Sequence, residues 1–145
     1  MIDVEENVKN NEDYWVYCDV PMGRLIKDMQ IGDGHFNALF DTGSERSYIS
    51  PDVPMDNCVT LDEPFSVKIG GKTRIVKKRC IMNGAINGLK FDFSAFPLDE
   101  LGIIDGKKVD ILIGATAMEE WDIIIDPKDR KMNLKGLKNR EFLEL

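Results

Sequence analysis

The chain has 145 residues and a mass of 16.5 kDa, room for one domain. Its composition, 43% apolar and 31% charged, suits a packed core under a solvated surface and excludes a wholly disordered chain. With 26 acidic against 19 basic side chains and a net charge of −7, the chain has no overall positive charge for neutralising phosphates, so nucleic acid is not expected as a partner.

Residues 1–13 are polar and acidic, with little periodicity, and read as a flexible arm ahead of a domain spanning 14–145. The first residues are acidic where a secretory signal would be basic and then apolar. No apolar run approaches the roughly 18 residues of a membrane-spanning helix. The expectation is a soluble, cytoplasmic protein without a membrane partner.

From Tyr14 onward the pattern is one of short strands. Trp15-Val16-Tyr17-Cys18 is rich in strand formers. Leu25–Ile31 and His35–Phe40 flank Gly32-Asp33-Gly34 and read as a hairpin. Phe65–Ile69 and Thr73–Val76 flank Gly70-Gly71 and read as another. Asn83-Gly84 and Asn87-Gly88 both carry a turn signal, and Leu89, Phe91 and Phe93 alternate with Lys90 and Asp92. Val109–Ile113 and Ile123–Ile125 read as buried strands. Between them, Ala115–Trp121 is the one good candidate for a helix, and the tail from Gly136 fits neither period. Many short strands with one helical turn predict an all-β barrel or sandwich.

The three cysteines, Cys18, Cys58 and Cys80, are widely spaced, and His35 is the only histidine. That argues against a metal site and against a disulfide framework, and all three read as buried free thiols.

The segment that carries chemistry is Phe40-Asp41-Thr42-Gly43-Ser44. An apolar strand runs into an aspartate and then into a tight turn flanked by hydroxyls. By itself this also fits a structural aspartate in a β-turn. Roughly seventy residues later, Ile111-Leu112-Ile113-Gly114 is a buried strand ending in glycine just ahead of the helix.

Together these two segments resemble the retropepsin-like aspartic proteases, with the similarity covering about residues 24–135. The resemblance implies a closed acid-protease barrel with a short helix after the second strand-Gly motif. It also implies an aspartic endopeptidase with no metal and no cofactor. Because the chain has one Asp-Thr-Gly, the resemblance implies a homodimer in which Asp41 and its symmetry mate activate a water against an extended peptide or protein substrate. Thr42 is expected to lock the two loops together, Gly43 to allow close backbone approach, and Ser44 to bond the outer oxygen of Asp41 and lower the working pH. Gly114 belongs to the second loop motif. Ile69, Gly70 and Gly71 are the candidate tip of a substrate-covering flap. A non-catalytic barrel serving as a dimerisation or peptide-binding module is the alternative function. Asp110 and Asp126 are expected to satisfy backbone donors, and Trp121 to anchor the core.

Overall fold

The computed structural model describes residues 14–20 and 24–145; the acidic arm expected over 1–13 lies outside the described residues. The strands are β1 (Trp15–Tyr17), β2 (Leu25–Ile31), β3 (Gly34–Phe40), β4 (Tyr48–Ile49), β5 (Cys58–Ile69), β6 (Lys72–Ile86), β7 (Leu89–Pro97), β8 (Ile103–Ile104), β9 (Lys107–Lys108), β10 (Ile111–Ile113), β11 (Ile124–Asp126) and β12 (Lys131–Asn133). Two short helices are present, α1 (Ala115–Glu120) and α2 (Lys135–Asn139).

The main sheet runs in the order β2-β3-β10-β4-β7-β6-β5, and a further pairing of β2 with β6 at Gln30 and Ala85 closes six of these strands into a barrel. Closure removes the sheet edges that an open β-sheet would expose. Strand β5 lies outside the ring as the partner of β6. Strands β1, β12 and β11 form a separate antiparallel sheet.

Alternation along the strands divides the apolar residues between two faces. Met29, Phe40, Phe93, Ile111 and Ile113 pack in the larger cluster with Met132 and Leu134. Leu39, Leu112, Ile26, Tyr48, Val76, Phe96 and Leu98 form a second cluster, against which Phe65, Val67 and Ile69 of β5 pack. Leu39 and Phe40, and likewise Leu112 and Ile113, are adjacent in sequence yet serve opposite faces.

Four expectations are corrected. Asn83-Gly84 is not a turn but part of the 15-residue β6. There a side chain on residue 84 would press on Met29 Sδ at 3.1 Å, so glycine permits the close approach of β2 that shuts the barrel. The turn is at Asn87-Gly88, both with positive φ.

Cys58 and Cys80 are not free thiols. They face each other across β5 and β6 with Cα atoms 4.0 Å apart and are joined in a disulfide, while Cys18 is the free and buried cysteine. A spacing of 22 residues hides a pair that strand register brings together.

A second helix, α2, occupies part of the ambiguous tail. Its Gly136 is buried where a Cβ would meet Asp122 Cβ at 2.8 Å and, closer still, the Trp121 carbonyl. The helix is held by tertiary packing of Leu137 and ends on Arg140 in the left-handed region, signals too local for periodicity to show. Finally, the segment around Ile124 is not wholly buried, since Ile124 lies on the exposed side of β11.

Candidate active site

Asp41 follows the last residue of β3. Strand β3 runs parallel to β10, with Phe40 opposite Ile113, and the Asp41 N–H donates to the Ile113 carbonyl at 3.0 Å. The carboxylate is therefore delivered by a strand fixed in the middle of the sheet. Alternation carries its side chain to the face of Leu39, the face of the second apolar cluster.

The loop beyond is held by its own backbone. Gly43 N–H donates to Asp41 Oδ1 at 2.8 Å, and Ser44 N–H donates to the Asp41 carbonyl at 3.1 Å. A Cβ on residue 43 would lie 3.1 Å from Oδ1, so glycine lets the backbone come this close to the carboxylate. Oδ2 accepts no hydrogen bond among the described residues, and Asp41 is partly exposed.

Thr42 is exposed. Ser44 does not reach the carboxylate: its hydroxyl donates instead to the Arg46 carbonyl at 2.8 Å. The turn directs Oγ forward along the loop, so the expected Ser44 bond to Asp41, and the acid shift argued from it, are withdrawn.

Gly114 joins the second motif to the first. Its N–H donates to the Ser47 hydroxyl at 3.0 Å. A Cβ here would lie 2.7 Å from the Ser44 carbonyl oxygen and closer still to that of Arg46. Its φ of −95° is open to any residue, so the need for glycine is one of space alone.

No side chain caps α1. The N–H groups of Ala115 and Thr116 donate to the carbonyls of Ser44 and Glu45, at 2.7 and 3.0 Å. The first turn of a helix leaves such donors without internal partners, and here the Asp41 loop supplies the acceptors. The helix and the loop hold each other in place.

Ile69, Gly70 and Gly71 form the end of the β5–β6 hairpin. Ile69 pairs with Lys72, and both glycines have positive φ, +60° and +79°, as a two-residue hairpin turn requires. Phe65, Val67 and Ile69 turn their side chains onto the apolar cluster beside Leu39 and Leu112. The hairpin thus lies over the face toward which Asp41 is directed. Burial pushes the Tyr48 phenol above its ordinary pKa, leaving a neutral ring in that surface.

Asp110 and Asp126 satisfy backbone donors and Trp121 anchors the core, as expected. Asp110 Oδ2 accepts the Asn37 N–H at 2.9 Å, and Asp126 Oδ1 accepts the Asp129 N–H at 3.2 Å. Trp121 packs against the core edge-on to Phe91 and donates its indole N–H to the Asp92 carbonyl at 2.7 Å. His35 is exposed beside Asp28. Among the described residues no cluster of three His, Cys, Asp or Glu side chains could hold a metal, and no helix is long and apolar enough to cross a membrane.

The sequence reading did not single out Arg46 and Arg79. The guanidinium of Arg46 lies 5.0 Å from the centroid of the Phe65 ring, and that of Arg79 lies 5.1 Å from that of Phe96. Arg79 follows Lys77 and Lys78 in a basic run typical of a solvated strand face, and only the register of β6 against β7 shows its ring partner.

No protein-family profile and no curated protein matches this chain. Among solved structures, the retroviral protease-like domain of Ddi1 from Leishmania major superposes with a TM-score of 0.57. That match covers 77% of this chain and 87% of the other at 15% sequence identity. The chain has the retropepsin-like fold.

Proposed function

We propose that this chain is an aspartic endopeptidase that works as a homodimer, with the Asp41 carboxylates of two copies meeting in one site. The observation that carries the reading is the state of Asp41. Its backbone is fixed by β10 and one oxygen is held by Gly43, yet the other oxygen has no partner among the described residues.

A second Asp41 brought to about 3 Å makes it unfavourable for both carboxyls to ionise, so the pair shares one proton. The ionised member takes a proton from a bound water as the water attacks the peptide carbonyl. The protonated member donates to the carbonyl oxygen as charge develops there. In that dimer Thr42, exposed beside Asp41 in the single chain, bonds across the two-fold axis and fixes the loops. The Gly70-Gly71 hairpin acts as the flap. An extended peptide enters between it and the floor of Leu39, Tyr48 and Leu112, adding main-chain hydrogen bonds as a further strand. Val67 and Ile69 rest on that floor here, so substrate entry requires the end of the hairpin to lift.

No metal or organic cofactor enters this mechanism. The compartment is a separate matter, because a disulfide such as Cys58–Cys80 is favoured by oxidising surroundings, which speaks against the cytoplasmic location expected from the sequence.

The test is cleavage of a mixed peptide library between about pH 3 and pH 7, with wild type and Asp41→Asn compared side by side. Cleavage by wild type alone supports the reading. No cleavage by folded, dimeric wild type moves the function to the non-catalytic peptide-binding or dimerisation barrel.

A further inference from the structure

One end of the apolar floor carries two arginines. Arg46 belongs to the loop that Asp41 begins, and Arg79 to β6 of the hairpin. Their ring partners, Phe65 and Phe96, meet edge-on with centroids 5.4 Å apart, so guanidinium, ring, ring and guanidinium form one continuous row of contacts. A guanidinium lying over a ring keeps its N–H donors around its edge, where they can grip a carboxylate.

Both arginines line a cavity of about 210 Å³ with Phe96 and Ser94. That is below the roughly 300–1,000 Å³ of pockets for free small molecules and suits a single side chain. The Ser94 hydroxyl is buried on this lining and makes no hydrogen bond among the described residues. Neither guanidinium is ion-paired among the described residues. Glu45 and Glu120 share the lining, but neither comes within 4.0 Å of a guanidinium nitrogen. Two guanidinium groups around one small space, without a carboxylate partner among the described residues, call for an acceptor with negative charge.

We propose that Arg46 and Arg79 form an acidic-residue subsite, and that the preferred substrate is a peptide carrying Asp or Glu at a fixed position near the bond that is cut. The inference rests on the reading of the Asp41 face as a peptide cleft. Its carboxylate sits against the guanidinium edges, kept off the far side of the cavity by repulsion from Glu45 and Glu120. In the symmetric dimer the subsite occurs twice, once on each side of the dyad.

The probe is a set of alanine-based octapeptides with Phe-Leu at the centre, each carrying one Glu or one Gln at one of the flanking positions. Binding is measured to full-length Asp41→Asn, which keeps the cleft but cannot cut, and cleavage is measured with wild type. At one position Glu is expected to bind about tenfold more tightly than Gln at low salt, a difference of about 1.4 kcal/mol. That ratio should fall to near one when Arg46→Gln and Arg79→Gln are added, with the Gln peptide still binding as before. Arg46→Lys and Arg79→Lys, which preserve charge, should keep part of the preference.

Equal affinity for Glu and Gln at every position overturns the subsite. So does a preference that survives removal of both arginines, or failure of every peptide to bind. If the Glu preference appears in binding but wild type cuts nothing, the subsite stands and the peptidase reading falls. If wild type cuts Glu and Gln peptides equally well and binding shows no preference, the peptidase stands and the subsite falls.

Discussion

Replacing Gly114 with alanine tests the link between the two halves of the site. The new Cβ would stand 2.7 Å from the Ser44 carbonyl oxygen, against an ordinary contact of 3.4 Å or more, and closer still to that of Arg46. The loop must retreat by at least about 0.7 Å, an overpacking strain worth roughly 1–3 kcal/mol. Retreat also stretches the bonds from Ala115 to Ser44 and from Thr116 to Glu45, now 2.7 and 3.0 Å, at about 1 kcal/mol each. The expected destabilisation is about 3–5 kcal/mol, a large part of the stability of a domain this size. Urea unfolding measures it directly, and heating should show a fall in Tm of roughly 10–15 °C. Gly88→Ala is the control, since its φ of +80° is unfavourable for alanine but nothing lies within 4 Å of the added atom. That change should lose only about 1–2 kcal/mol. A Gly114→Ala protein within about 0.5 kcal/mol of wild type, or no less stable than Gly88→Ala, would refute the steric account.

Four further outcomes are expected. Thiol titration in denaturant without reductant should find Cys18 alone, because Cys58 and Cys80 are joined; three thiols would remove the disulfide. In the native protein, burial pushes the Cys18 thiol up to about 11, so alkylation at pH 8 should be slow and should accelerate as the pH rises toward that value. Ser44→Ala should leave the pH profile of cleavage where it is, because the hydroxyl bonds the Arg46 carbonyl; an alkaline shift of a unit or more would restore a direct bond to Asp41. Gly71→Val, at a φ of +79°, should impair the hairpin turn and reduce kcat/KM by about tenfold or more while the barrel still unfolds cooperatively; unchanged cleavage would remove the hairpin as a flap.

The sequence exposed the parts of this fold that are specified locally. The β2–β3 hairpin and the Gly70-Gly71 turn follow from alternation broken by glycines, and α1 from a short run of good helix formers after Gly114. Asp41 and Gly114 were legible as a pair because each ends an apolar strand. What escaped depends on register. Cys58 meets Cys80, and Gly84 meets Met29, only after long strands pair, and nothing in the spacing predicts either contact. Asn83-Gly84 has the composition of a turn, and barrel closure overrides it. The Ser44 hydroxyl could reach either the carboxylate or the loop carbonyl, and the local path of the loop decides between them. Arg46 and Arg79 are far apart in sequence and acquire a shared cavity through Phe65 and Phe96.

The most direct test of the central claim is to mix wild type with Asp41→Asn at constant total concentration, allow subunits to exchange, and measure cleavage. If one site needs an Asp41 from each of two copies, activity follows the square of the wild-type fraction, and an equal mixture retains about a quarter of the original rate. Retention of about half at equal mixture would show that each chain cuts with its own Asp41 alone, and would contradict the shared dyad.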